Sequence, residues 1–260
     1  MIKLSIITIN YNNLEGLRKT FKSVFEQTYR DFEYIVIDGG STDGSKELME
    51  QYVDRLTYYV IEPDNGIYNA MNKGWKKATG KFCLFLNSGD WLYDNLVVRK
   101  FVDKAHQNTD IIVGSTIEVD LNGKIIFERK NFDFSLYTLS YTSFPHQASF
   151  ISLKLLKELN GYDENFRVIS DWLFYFRAII ERNASFNTMN EKIAYFEQGG
   201  LSANFDIEQE KLQAIKKYHP FFLKEYPLYK KYHNLNLSRI VRFYEKIKKL
   251  ALILCSKAGK

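Results

Sequence analysis

Short runs of Ile, Val, Tyr and Phe recur through the first hundred residues, each followed by a stretch whose apolar positions repeat every three to four residues. The runs predict strands over residues 4–9, 34–37, 57–61 and 82–86, and the stretches between predict helices over 14–27, 45–53 and 67–77. Strand and helix in alternation make βαβ units, so a parallel sheet is expected. The turn Ser41-Thr42-Asp43-Gly44 supplies capping residues for the second helix. The strand before it ends on Asp38, which puts a carboxylate at the C-terminal edge of the sheet, where open α/β sheets bind ligands.

After residue 108 the texture changes. Strand patterns over 110–119 and 124–129 flank Leu121-Asn122-Gly123, and Asn-Gly is a strong hairpin signal. A helix is predicted over 171–182 and a strand over 193–196. Residues 1–204 therefore read as one α/β unit with a Rossmann-like mixed sheet. Within it, 1–107 form a nucleotide-binding half and 108–204 an acceptor-binding half. Residues 205–260 read as a C-terminal helical extension, in which the segment from Leu237 places Ile240, Tyr244, Ile247, Ala251 and Leu254 on one stripe, with Arg239, Arg242, Lys246 and Lys249 largely away from it.

Charge sharpens that division. The net charge of +5 is regional, since residues 211–260 hold 13 Lys and Arg against 2 Asp and Glu, a net of +11, leaving −6 for residues 1–210. A general polyanion binder is not expected of the catalytic-looking part, nor is a nucleic-acid partner. The basic amphipathic segment from Leu237 reads either as a helix packed on the domain or as an attachment to anionic lipid. The 18 Tyr and 20 Phe read either as a core or, in part, as platforms for sugar rings. Two cysteines, Cys83 and Cys255, suggest neither a disulfide framework nor a zinc site. With no secretory leader pattern and no apolar run of membrane-spanning length, a cytoplasmic protein is expected, peripheral to the inner face of a membrane where the basic segment attaches.

Four segments in order carry a family resemblance: SIITINYNN (5–13), VIDGGSTDGS (36–45), EPDNGIYNAMNKGWKKATGKFCLFLNSGD (62–90) and GYDENFRVISDWLFYFR (161–177). Together the chain resembles family 2 glycosyltransferases, which have the GT-A fold, and looks closest to their bacterial polysaccharide-assembly branch. The resemblance implies an inverting enzyme that moves a sugar from a nucleotide-sugar donor, expected to be UDP-linked, to a hydroxyl of a glycan or lipid-linked acceptor. It implies that Tyr11, with Asn10, and Asp38 flank the nucleoside. In the family a second acid often follows Asp38; here Gly39 stands there. By pattern alone Asp38 reads equally as a turn cap.

NSGD (87–90) lies where many members carry an Asp-x-Asp motif for Mg²⁺ or Mn²⁺, and this chain keeps only Asp90, the expected metal ligand. Asp171, in ISDW with Ser170 in place of a first acid, takes the carried-over role of catalytic base; spacing alone reads it as a helix cap. Asp64, Gly66 and Asn72 lie in a segment that borders the donor site in the family; a turn followed by an ordinary helix start explains them almost as well. His146 is a candidate to orient acceptor or phosphate, while a lone His reads more often as a structural hydrogen-bonder, and Gly199, Gly200 and Ser202 resemble a loop closing over the donor. Two alternatives remain, a non-catalytic nucleotide-sugar or glycan binder and a nucleotidyltransferase. The latter would want a Gly-rich basic phosphate loop that NYNNLEGLRK does not provide.

Overall fold

A computed structural model describes residues 3–105, 108–120, 122–130, 134–197 and 205–236. The loop with Gly199, Gly200 and Ser202, and the stripe from Leu237 onward, lie outside the described residues.

The first half forms as the periodicity predicts. Strand β1 (Leu4–Asn10), helix α1 (Leu14–Phe25), β2 (Phe32–Asp38), α2 (Ser45–Glu50), β3 (Tyr58–Ile61), α3 (Ile67–Lys77) and β4 (Phe82–Phe85) alternate. β1 pairs in parallel with β2 and with β4, and β2 with β3. All seven residues of β1 are buried, as befits a central strand covered on both faces. Ile7 and Ile9 point into one core layer with α3, while Leu4 and Ile6 point into the opposite layer with α1. The second helix is shorter than its pattern predicts and gives way to a 3-10 turn at Val53–Arg55.

The rest comprises β5 (Trp91–Leu92), α4 (Val97–Lys104), β6 (Ile111–Val119), β7 (Ile125–Arg129), α5 (Leu136–Tyr141), β8 (Ser149–Ser152), α6 (Leu153–Leu159), α7 (Ser170–Arg182), β9 (Phe186–Glu197), α8 (Ile207–Tyr218) and α9 (Tyr226–Asn236). Among the described residues one mixed sheet runs β3-β2-β1-β4-β8-β6-β9-β5, with β7 attached to β6. β8 joins the halves, antiparallel to both β4 and β6. The Asn-Gly hairpin forms, with Gly123 at φ 77 and Asp120 accepting from the amides of Asn122 and Lys124, both at 2.9 Å. Ala214, Ile215, Phe222 and Tyr226, all beyond residue 204, are at most 2% exposed and share one core with Trp172 and Phe176 of α7.

A buried carboxylate staples the sheet's far end. Glu33 of β2, 4% exposed, accepts from Ser5 Oγ at 2.6 Å and the amides of Thr79 at 2.8 Å and Gly80 at 3.1 Å. It also accepts from the Thr79 hydroxyl, and Lys3 stands 3.3 Å away. Burial pushes this carboxyl up, but the bonds from Ser5, Thr79 and Lys3 outweigh it and hold the pKa at about 2. Among the described residues no helix is long and apolar enough to cross a membrane.

Candidate active site

The polypeptide leaves β4 into Asn87-Ser88-Gly89-Asp90, a tight turn with Gly89 at φ 102 and the Asp90 amide bonded to Asn87 O at 2.9 Å. Helix α1 holds the turn. Thr20 Oγ1 accepts from the Gly89 amide and donates to Asp90 O, and Asn13 Nδ2 donates to Ser88 O. Asp90 is thereby fixed at the floor of a cleft of about 780 Å³, itself only 6% exposed. Burial pushes its carboxyl up to about 7, against the pull of His146.

Across the floor, Asp171 sits in the first turn of α7. It is not the cap of its helix: Ile169 stands at that position, without a side-chain bond. The Asp171 side chain turns into the cleft, where Oδ1 accepts from the Tyr68 hydroxyl at 3.1 Å. His146, from a 3-10 turn after Pro145, stands between the two acids, with Nε2 3.8 Å from Asp90 and Nδ1 3.8 Å from Asp171. Burial opposes its protonation, yet Asp171 and Asp90 together raise its pKa above the usual histidine value. Asn87 Nδ2 lies 3.2 Å from His146 Nε2, while Asn87 Oδ1 is buried without a partner among the described residues.

The expected donor residues divide into two groups. Asn10, Asp38 and Asn72 are buried inside the walls and do not line this cleft. Asp38 Oδ1 accepts from the amides of Gly40 at 3.0 Å and Ser41 at 2.7 Å, and Oδ2 accepts from Asn10 Nδ2 at 2.7 Å and Ser41 Oγ at 2.8 Å. Those four bonds fill the capacity of a carboxylate. Asn72 binds both the carbonyl and amide of Tyr162, together with Glu164 and the Trp75 indole.

Tyr11 and Asp64 meet instead at the sheet edge, over Gly39. Tyr11 is 66% exposed, and a Cβ built on Gly39 would lie 2.6 Å from Asp64 Oδ2 and 3.1 Å from the Tyr11 ring. Asp64 Oδ1 accepts from the Gly66 amide at 2.9 Å, and Gly66, at φ 108, precedes α3 as its cap residue.

Several cleft residues escape a reading by pattern. Tyr68 lies within a quoted segment but carries no chemical signature of its own. Lys19, ion-paired with Glu197, looks like the solvated face of α1 until folding brings β9 beside it. Arg129, 3.0 Å from Glu118, and Arg167 add positive charge to the walls. The aromatic surplus is mostly core. Beside the cleft, Trp91 and Tyr93 stack on Tyr195 at 5.0 and 5.3 Å between centroids, with Lys19 over Trp91 and Lys192 over Tyr93. Those faces are engaged by one another and by lysines.

Comparison with known proteins assigns the family and the fold. The sequence model of glycosyl transferase family 2 matches residues 5–182. An uncharacterised glycosyltransferase of Mycobacterium tuberculosis is 35% identical over 180 residues, covering 68% of this chain and 69% of that protein. A PGL/p-HBAD biosynthesis glycosyltransferase of Mycobacterium bovis is 32% identical over 219 residues, covering 81% and 83%. In fold, the chain resembles Staphylococcus aureus TarS 1–349 in complex with UDP-GlcNAc, with a TM-score of 0.66 at 19% identity over 83% of this chain, and it spans 65% of that one. It also resembles the mannosyltransferase PcManGT of Pyrobaculum calidifontis in complex with GDP-Man and Mn²⁺, with a TM-score of 0.61 at 14% identity over 98% and 86%. The chain belongs to glycosyl transferase family 2 and is a glycosyltransferase with the GT-A fold.

Proposed function

We propose that the chain is an inverting transferase that moves a sugar from a nucleotide-sugar donor to a hydroxyl of a glycan or lipid-linked acceptor, in the synthesis of a surface polysaccharide or glycolipid. The observation that carries this reading is the row Asp90, His146, Asp171 across one cleft floor, with 3.8 Å on either side of the imidazole.

Asp171 acts as the base. Its Oδ1 is engaged by Tyr68, so the carboxylate is held in one orientation and Oδ2 takes the proton of the acceptor hydroxyl. The freed oxygen attacks the anomeric carbon from the side opposite the diphosphate, the carbon–oxygen bond to that diphosphate breaks, and the anomeric configuration inverts. His146, whose protonation is favoured by Asp171 and Asp90, stands where it can meet the developing negative charge of the leaving group. Lys19 and Arg167 add to the same field. Tyr11 offers a face to the base, and Asp64 Oδ2 an acceptor to its N–H groups. Gly66, Asn10, Asp38 and Asn72 support the donor site by holding the loops around it.

A divalent cation, Mg²⁺ or Mn²⁺, fits the floor. Asp90 is a buried carboxyl held above its normal range, and the nearby Asn87 Oδ1 is an oxygen without a donor among the described residues. Bound there with diphosphate oxygens, a cation would neutralise the leaving group. In support of nucleotide-sugar use, TarS holds UDP-GlcNAc and PcManGT holds GDP-Man with Mn²⁺. The mycobacterial relative's name places that protein in PGL/p-HBAD biosynthesis. Attachment of the basic amphipathic segment from Leu237 to anionic lipid would suit a lipid-linked acceptor.

The test has two parts. A panel of nucleotide sugars, with and without Mn²⁺, should raise the melting temperature for the true donor. On that donor Asp171→Asn should lower turnover by roughly 10²-fold or more while leaving donor affinity in place. Undiminished turnover would end the assignment of the base.

A further inference from the structure

Helix α7 carries Asp171, and its cap residue, Ile169, has no side chain able to bond the first amides. Where Asp171 stands therefore depends on contacts from other elements, Tyr68 at the first turn and those that hold the residues before it. On one side Asn72 and Asn69 of α3 bind Tyr162 and Glu164. On the other side lies α8, which follows the end of the family match at residue 182.

α8 grips this stretch at three points. Glu210 accepts from two consecutive amides, Arg167 through Oε1 at 3.0 Å and Val168 through Oε2 at 3.1 Å. Lys211, 7% exposed, lies 4.9 Å from the ring centre of Trp172, the residue after Asp171. Lys217 Nζ and the Tyr218 hydroxyl both donate to Asp163 Oδ2 at 2.7 Å, which with the Asn165 bonds holds the Asp163 carboxyl at about 2 against the effect of burial. α8 is a firm base for these grips, because Ala214 and Ile215 are fully buried in the same core as Trp172. Glu210 is not needed to cap α8, since Asp206 does so by accepting from the Gln209 amide. Arg167, Val168 and Asp171 line the cleft, and Glu210 does not.

We propose that Glu210 is a positioning residue for sugar transfer: by holding the amides of Arg167 and Val168 it sets where Asp171 stands against Tyr68 and His146. This rests on Asp171 being the base. A carboxylate that binds two successive amides fixes both position and orientation of the peptide, and a displacement of about 1 Å at a reacting group can cost 10²-fold in rate.

The experiment uses the full chain with Glu210→Ala, Glu210→Gln and Asp171→Asn. Hydrogen exchange is followed at residues 165–171, and turnover is read as nucleoside diphosphate release from the donor that the panel selects. Glu210→Ala should speed exchange at Arg167 and Val168, and lower kcat about tenfold or more with the donor KM within twofold. Glu210→Gln, which keeps one acceptor oxygen, should recover part of both. Should the alanine variant fail to fold, the glutamine variant decides through partial exchange and partial kcat.

Three results overturn the proposal: unchanged exchange at 167–168, unchanged kcat, or kcat, KM and melting temperature falling together without recovery by glutamine. An inactive Asp171→Asn beside a wild-type kcat in Glu210→Ala removes this inference alone. An active Asp171→Asn removes the assignment of the base itself.

Discussion

At the scale of single residues, Glu33 and Gly39 carry consequences that can be measured. The Glu33 carboxyl has a folded pKa of about 2 against 4.5 unperturbed, so its stabilisation is fully present above pH 4.5 and is lost as pH falls toward 2. The shift corresponds to at most about 3 kcal/mol. Urea melts at pH 7, 4.5 and 3 should show the decline in the wild type, and Glu33→Gln should be less stable at pH 7 and flatter below 4.5. Gly39 is different in kind. Its φ is not positive, so alanine is acceptable to the backbone, yet the added Cβ would displace Asp64 and crowd Tyr11. Gly39→Ala should leave the melting temperature close to wild type and weaken nucleotide binding by roughly 10–100-fold, the equivalent of one hydrogen bond to a charged group. Calorimetry with the donor's nucleoside diphosphate reads this; unchanged affinity would remove Asp64 from the base site. A second acid at position 39 would collide with Asp64 in the same way.

At the scale of elements, α3 and α7 bring the chemistry into place by close approach. Gly74 lets α3 lie on β1, since a Cβ there would be 2.4 Å from Ile7 Cγ2 in the rigid core. Gly74→Ala should therefore cost about 1–3 kcal/mol, seen as a lower denaturant midpoint, and lift Tyr68 away from Asp171. The helical pattern of α3 was legible from residues 67–77, as was that of α7 from 171–182. Legible too were β1, β2 and the Asn-Gly hairpin, each of which rests on periodicity or turn chemistry within a few residues. The short β8 and the run of α6 after it were not. Their residues, SFISLKLLKEL, form one apolar stretch whose division into strand and helix depends on β8 pairing with β4 and β6.

For the whole molecule, the sheet and its two covering layers make one body that includes α8 and α9. Truncation after residue 204 should yield no folded protein, because it removes Ala214, Ile215, Phe222 and Tyr226 from the core; core truncations of single large side chains already cost about 2–5 kcal/mol. A soluble, cooperatively melting 1–204 fragment would count against this. The cation proposal is likewise a property of the assembled cleft. Asp90→Asn should abolish the additional melting-temperature rise that Mn²⁺ gives with the donor, without lowering the melting temperature of the unliganded protein, since it removes a buried carboxyl held far above its normal range.

What the sequence by itself determined was local and periodic: the βαβ order, the position of Asp38, Asp90 and Asp171 at element ends, and the order of segments that places the chain in its family. The tertiary structure decided which of those side chains face a common space. Asp38 and Asn72 turned inward, because buried loop amides and carbonyls need partners and these residues stood nearest to supply them. Asp90 and Asp171, 81 positions apart in the chain, came to face one imidazole. Lys19, Tyr68 and Glu210 acquired their places only through contacts between helices and strands distant in sequence, and no pattern within one segment encodes such a meeting.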